Sequence, residues 1–188
     1  MVTHDSRALS AAEALSDEGA NQEHAQYLTF TLRGEIFGIE ILVVREIIGY
    51  GSLTEVPMMP SCIRGVINLR GAVVPVMDLS ARFDREPSVV TKYTCIVIVE
   101  TAFDGQQQVI GIVVDAVNAV LEIAPSEIEP APQFGAKIRS DFIVGMGKVA
   151  GKFVILLNVN RVVAIDEVGA LALLSNVPAS LTPPSATA

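Results

Sequence analysis

The stretch Ile63-Arg64-Gly65-Val66-Ile67-Asn68-Leu69-Arg70-Gly71-Ala72-Val73-Val74-Pro75-Val76-Met77-Asp78-Leu79 returns eighty residues later without a gap. The second copy is Ile143-Val144-Gly145-Met146-Gly147-Lys148-Val149-Ala150-Gly151-Lys152-Phe153-Val154-Ile155-Leu156-Leu157-Asn158-Val159. Ile63, Gly65, Gly71 and Val74 recur as Ile143, Gly145, Gly151 and Val154, while Asp78 and Leu79 become Asn158 and Val159. Upstream of each copy lies a second echo, Phe37-Gly38-Ile39 through Ile48 against Ile110-Gly111-Ile112 through Leu121, at an offset of 73. Two echoes in the same order imply a strand, Gly turn, strand unit that occurs twice, with linking loops of different length.

Short strands broken by Gly turns dominate the rest of the chain. Tyr27–Leu32 alternates with period two, and Arg33-Gly34-Glu35 turns it into a second strand at Ile36. Further strands are expected at Ala72–Asp78, Thr94–Glu100, Val109–Val114 and Phe153–Asn158. Pro75 cannot donate to a ladder, so its strand is expected to have an edge or a bulge there. Little room is left for crossover helices, which favours an all-β fold of small antiparallel barrels over a parallel α/β sheet. Helix signals gather near the end, where Asn160 is placed to cap Arg161–Ile165 and Asp166 to cap Glu167–Leu174. Residues 1–25 carry few large apolar side chains and 176–188 are rich in Pro, Ser, Thr and Ala; both read as disordered tails, the first with at most a short helix over Ala8–Leu15.

Composition narrows the chemistry. Hydrophobic residues make up 51% of 188 positions, but in short runs rather than a span of membrane length, and no basic, then apolar, leader opens the chain. A cytoplasmic protein is expected. The net charge of −8 opposes a phosphate backbone, and no Lys or Arg cluster reverses it locally. His4 and His24 both fall in the tail, so no imidazole is expected in the folded part for base, metal or phosphotransfer work. Cys62 and Cys95 lie in apolar sequence without C-x-x-C spacing and read as reduced packing residues. The glycines form neither a G-x-G-x-x-G nor a P-loop pattern. Asp78 ends an apolar strand as a receiver-domain phosphoacceptor does, but the earlier acidic pair is missing, so it is expected to close the strand or cap a turn. No enzymatic centre, cofactor or metal is expected.

Several polar groups stand at unusual places. Arg70 lies at the tip of the Asn68–Gly71 turn and reads either as a solvated turn residue or as a partner contact. Glu46 interrupts the apolar run Leu42–Ile48, where it must point outward or pair. Pro125, Pro130 and Pro132 make a rigid extended connection before Phe134, which is either a core plug or an exposed anchor.

These motifs resemble the CheW family of bacterial chemotaxis coupling proteins. The resemblance rests on Phe37-Gly38-Ile39 to Val44-Arg45-Glu46-Ile47-Ile48-Gly49-Tyr50, Ile63-Arg64-Gly65-Val66 to Asn68-Leu69-Arg70-Gly71, Val74-Pro75-Val76 to Asp78-Leu79, Val109 to Asp115, and Pro130-Ala131-Pro132-Gln133-Phe134, spanning about 26–175. It implies two intertwined five-stranded SH3-like β-barrels arranged as a pseudo-repeat, with short C-terminal helices. One domain over 26–175 is expected, with a first subdomain over about 26–86 plus helices at about 160–175, and a second over about 92–159. The resemblance further implies a non-enzymatic adaptor that bridges the cytoplasmic tips of methyl-accepting chemoreceptors to the regulatory domain of the histidine kinase CheA.

By motif, Arg70, Gly71, Cys95, Ile96, Val117 and Val120 would line the receptor groove between barrels, and Val44, Glu46, Arg64 and Gly65 would face the kinase. Phe134 would make a second, ring-closing kinase contact, although Glu129 stands where the family often has Arg. A receptor helical hairpin would lay its apolar stripe in the groove, oriented by Arg70, with Glu46 and Arg70 paired. The two arginines, present in one copy of the repeat only, are assigned to partners, and the shared glycines to the fold. A paralogous coupling protein of a non-flagellar array is the nearer alternative. A twin-barrel nucleic-acid binder is the alternative of another class, and it would need basic, aromatic grooves that 5% aromatic content does not supply.

Overall fold

The computed structural model describes residues 24–103, 105–131 and 138–164. Strands β1 (Ala25–Leu32) and β2 (Glu35–Glu40) form a hairpin; a 3₁₀ turn at Ile41–Val43 leads into β3 (Val44–Gly49), β4 (Ile63–Leu69), β5 (Ala72–Asp78) and helix α1 (Leu79–Arg82). The order then repeats: β6 (Cys95–Phe103), β7 (Gln106–Val114), β8 (Ala116–Ile123), β9 (Ile128–Glu129), β10 (Ile143–Val149), β11 (Lys152–Leu157) and α2 (Val159–Val163). The expected helices over Ala8–Leu15 and Glu167–Leu174, the N-terminal tail up to residue 23, the whole tail 176–188, and Phe134 lie outside the described residues.

Two sheets result, ordered β3-β6-β7-β5-β4 and β8-β1-β2-β11-β10-β9. Each closes into a barrel because one edge strand runs on into the other edge. Thr54, downstream of β3, exchanges two 2.9 Å hydrogen bonds with Val66 of β4. β8 continues through a 3₁₀ turn at Pro125–Glu127 into β9, which pairs with β10. The expected pair of SH3-like barrels is thus present, with one difference: the second sheet has a sixth, two-residue strand, β9.

The subdomain boundaries differ from expectation. Each repeat gives its first hairpin to the other barrel: β1 and β2 join β8–β11, through the parallel pairing of β2 with β11, while β6 and β7 join β3–β5, through β7 with β5. The five-stranded barrel is therefore the continuous stretch Val44–Val114, and the six-stranded one is assembled from the two flanks. Sequence contiguity of the repeat gave 26–86 and 92–159 because exchange leaves no mark in strand pattern.

The exchanged hairpins are apolar on both faces, which is how one strand serves two cores. In β6, Val97 and Val99 enter the large cluster between the barrels, whereas Ile96 and Ile98 fill the five-stranded barrel. In β1, Leu28, Phe30 and Leu32 face the shared cluster and Tyr27 the six-stranded interior. Across the shared core runs a chain of rings, Phe30, Phe37, Phe83 and Phe142, with successive centroids 6.0, 5.8 and 5.9 Å apart.

The repeat is exact in its local devices. Arg70-Gly71 and Ala150-Gly151 form two-residue turns with φ of 51° and 86°, and 49° and 76°, as the twist of a tight hairpin demands. Arg64 and Val144 are each the extra residue of a β-bulge, followed by a glycine where another strand passes close. A Cβ on Gly65 would meet Thr54 O at 2.4 Å, and one on Gly145 would meet Glu129 O at 2.8 Å. After β5 and β11, Asp78 and Asn158 cap α1 and α2. Asn158, not the expected Asn160, is the α2 cap, since its Oδ1 accepts from Arg161 N.

Pro75 stands next to the bulge of the β4–β5 pair, which falls opposite Val76 and Met77. Its strand is internal to the sheet, between β7 and β4. Val66, opposite Pro75, turns both backbone groups to Thr54, so Pro75 N points toward β7, whose pairing with β5 starts only at Val76. The missing donor costs the ladder nothing there.

Gly65→Ala is expected to destabilise by about 3 kcal/mol or more, because backbone oxygen occupies the Cβ position. Gly71→Ala, with open space around it, is expected to lose only about 1 kcal/mol of left-handed strain. Urea unfolding of both variants checks the ordering.

Candidate functional site

Along the seam between the barrels, half-buried apolar side chains rim the shared core. Cys95 and Val44 come from the five-stranded barrel and Val117 from the six-stranded one. Cys95 pairs with Val114, three residues before Val117, so the two walls meet at the β7–β8 junction. Val117 and Val120 are three apart, a spacing that would place them on opposite faces of a regular strand. A bulge at Asn118 corrects this: Val117 pairs with Phe30 and Val120 with Leu28, both on the face of the shared core, and Val120 remains 48% exposed. The equivalent bulge at Arg45 in β3 pairs Val44 with Val99 and Ile47 with Val97, leaving Ile47 on the same kind of face and 42% exposed. Ile47 was not singled out in the sequence, although the 73-residue offset equates it with Val120.

At one end of the five-stranded barrel stands the turn of β4 and β5. Arg70 is 80% exposed and its Nη2 donates to Glu46 Oε2 at 3.1 Å. Gly71 N donates to Asn68 Oδ1, which fixes the turn. The expected pairing of Glu46 with Arg70 is present. An exposed pair contributes about 0–1 kcal/mol, so its role is to aim the guanidinium rather than to hold the fold.

Two assigned residues lie elsewhere than the resemblance implied. Ile96 is 1% exposed and faces the interior of the five-stranded barrel, so it lines no groove. Arg64 is not a solvated contact. Its Nε donates to Asp78 Oδ2 at 2.8 Å, Nη1 to Tyr50 Oη at 3.2 Å, and Nη2 to Ser88 O and Asp78 Oδ2. Burial alone would lower the Arg64 pKa, but the hydrogen bonds to Tyr50 and Asp78 outweigh it and leave the pKa raised. Gly65 is buried beside Thr54 and offers a partner no side chain. Phe134 lies outside the described residues.

Asp78 is fully buried and saturated. Oδ1 accepts from Ser80 N, Ala81 N and Ser88 Oγ, and Oδ2 from Ser88 N and Arg64. It caps the turn after its strand, as expected. Sequence reading missed Tyr50, Ser88 and Arg82. The last donates from Nε to Val162 O at 2.7 Å and stacks 4.6 Å over Phe142, tying α1 to α2. Cys62 is buried, Cys95 half-buried, and the two are not bridged. Among the described residues no three His, Cys, Asp or Glu side chains are grouped to hold a metal ion, and no helix is long and apolar enough to cross a membrane.

Fold and seam together define a twin SH3-like barrel scaffold. Residues 26–167 match the model of the CheW-like domain, and the chain belongs to that family of chemotaxis scaffold proteins. It is 34% identical to the chemotaxis protein CheW of Klebsiella aerogenes over 92% of this chain and 98% of the relative. It is 30% identical to that of Rhizobium meliloti over 84% and 96%. Among solved structures, the scaffolding protein TtCheW from Thermoanaerobacter tengcongensis superposes with a TM-score of 0.68 at 32% identity, over 79% of this chain and 94% of that one.

Arg64→Ala leaves the buried Asp78 carboxylate without its counter-charge and is expected to cost about 3 kcal/mol. Adding Asp78→Ala should cost less than the sum of the single losses, because the two side chains form one network. A denaturant double-mutant cycle measures the coupling.

Proposed function

We propose that this protein is a non-enzymatic cytoplasmic adaptor that couples methyl-accepting chemoreceptors to the histidine kinase CheA. The observation that carries this reading is an exposed Arg70, aimed by Glu46 from a fixed turn, in a chain of the CheW-like family. The receptor's cytoplasmic tip is an α-helical hairpin, and its apolar stripe would lie in the seam against Cys95, Val117 and Val120, with Arg70 and Gly71 at the end. Helix-in-groove recognition of this kind uses shape and a modest apolar area, with one charged group setting register.

The regulatory domain of CheA would take the face around Val44 and Glu46. Arg64 and Gly65 serve that face indirectly: the Arg64 network holds the bulge, and Gly65 lets Thr54 close the barrel beside it. Phe134 remains the proposed second kinase contact. Glu129, exposed on β9 where the family often has Arg, calls for a basic residue on the partner.

Arg70→Ala should fold as the parent does and bind a receptor cytoplasmic fragment about tenfold more weakly, with loss of receptor-dependent CheA activation in a reconstituted mixture. Glu46→Ala in the same background should add less than its single effect. Unchanged binding by a folded Arg70→Ala variant contradicts the assignment.

A further inference from the structure

The bulge at Asn118 turns Val117 and Val120 to one face, and side chains of β1 hold it. An extra residue interrupts the backbone ladder, so a strand can slip there into another register. Opposite this bulge, Thr29 Oγ1 donates to Ala119 O at 2.8 Å and accepts from Ala119 N at 3.2 Å. One buried hydroxyl thus engages both backbone groups of the residue that follows the bulge. On the other side of Phe30, Asn118 Nδ2 donates to Thr31 Oγ1 at 3.0 Å, which ties the extra residue itself. Just upstream, Asp115 N donates to Thr31 O at 3.1 Å and Asp115 Oδ2 accepts from Arg33 N at 2.7 Å, so the entry into β8 is fixed as well.

The other repeat shows which of these ties is particular to β8. Phe30 pairs with Val117, and Val99 with Val44, 73 residues before Val117. Ile98 therefore stands in the place of Thr29, Glu100 in that of Thr31 and Arg45 in that of Asn118. The tie between Thr31 and Asn118 has a counterpart, because Arg45 Nε lies 3.4 Å from Glu100 Oε2. Thr29 has none: Ile98 fills the interior of the five-stranded barrel and offers no hydrogen bond. A buried hydroxyl where the repeat uses an aliphatic side chain gives up apolar burial, and its two bonds to Ala119 offset that.

We propose that Thr29 is the positioning residue of the receptor wall: its hydroxyl holds the β8 bulge in register, so that Val117 and Val120 meet the receptor hairpin as one apolar stripe. Without those two bonds the bulge migrates along β8, and a shift of one residue turns a side chain to the opposite face. Thr29 is buried and touches no partner itself. This rests on the receptor reading of the seam given above.

The test measures binding of the full chain to a receptor cytoplasmic fragment and, separately, to the CheA regulatory domain, with amide exchange of Ala119 followed by NMR. Thr29→Val keeps the shape and removes the hydroxyl. It should weaken receptor binding about tenfold and speed exchange at Ala119 about tenfold, whereas Thr29→Ser should stay within twofold of the parent in both. Thr31→Val should weaken receptor binding about threefold, and all three variants should bind the kinase domain as the parent does. If Thr29→Val speeds exchange at Ala119 yet keeps receptor binding while Arg70→Ala loses it, the assignment of Thr29 is wrong and the receptor reading stands. If Arg70→Ala keeps receptor binding too, the receptor reading fails and takes the assignment with it. Equal loss toward both partners marks a disturbed fold and also overturns it. Should Thr29→Val not fold, Thr31→Val decides: a selective loss of receptor binding supports the positioning role, and parent-like binding contradicts it.

Discussion

Everything in this structure depends on the apolar core shared by the two barrels, and that core exists because each repeat lends its first hairpin to the other. A barrel of five or six short strands encloses few side chains; Val74, Val76, Ile96, Ile98 and Val113 fill one interior and Tyr27, Ile123, Val154 and Leu156 the other. The larger cluster lies between them, fed by the outer faces of β1, β2, β6 and β7 and closed by Phe83, Phe142 and the two short helices. Small domains bury too little apolar surface to be secure alone, and the exchange turns two marginal cores into three connected ones.

The seam follows from the same arrangement. Where the shared core reaches the surface it must be rimmed by half-buried apolar side chains from both barrels, and Cys95, Val44 and Val117 are that rim. Bulges at Arg45 and Asn118 sharpen it by placing residues three apart on one face. The proposed partner site would thus be a by-product of packing, decorated at one turn by a single aimed arginine. The two arginines that only one repeat carries play different parts: Arg70, against Ala150, is held out to solvent, whereas Arg64, against Val144, is tied to buried Asp78.

The all-β architecture, the repeat, its Gly turns and the Glu46–Arg70 pair were legible in the sequence, since strand alternation, turn glycines and a lone carboxylate in an apolar run are local signals. What was not legible depended on long-range pairing. The hairpin exchange leaves the strand pattern unchanged, so the subdomain limits came out contiguous. Ile96 and Cys95 are neighbours in a strand that is apolar on both faces, so alternation did not say which one faces the seam. Arg64 and Arg70 look alike as cations in one copy only; three-dimensional structure separates them, one satisfied by Asp78, Tyr50 and Ser88, the other held out to solvent. The bulge at Arg64 is the reason, because an extra residue re-aims its side chain toward the end of β5.

The central claim is that partner recognition occurs at the seam the two barrels make together. Hydrogen exchange of the full chain, alone and with a receptor cytoplasmic fragment, reads this directly, because the walls belong to different barrels and to segments far apart in sequence. The account predicts added protection in three places at once: the start of β6 around Cys95, β8 over Val117–Val120, and the turn at Arg70-Gly71. Protection confined to the outer strands of one barrel, with β6 and β8 unchanged, would contradict it.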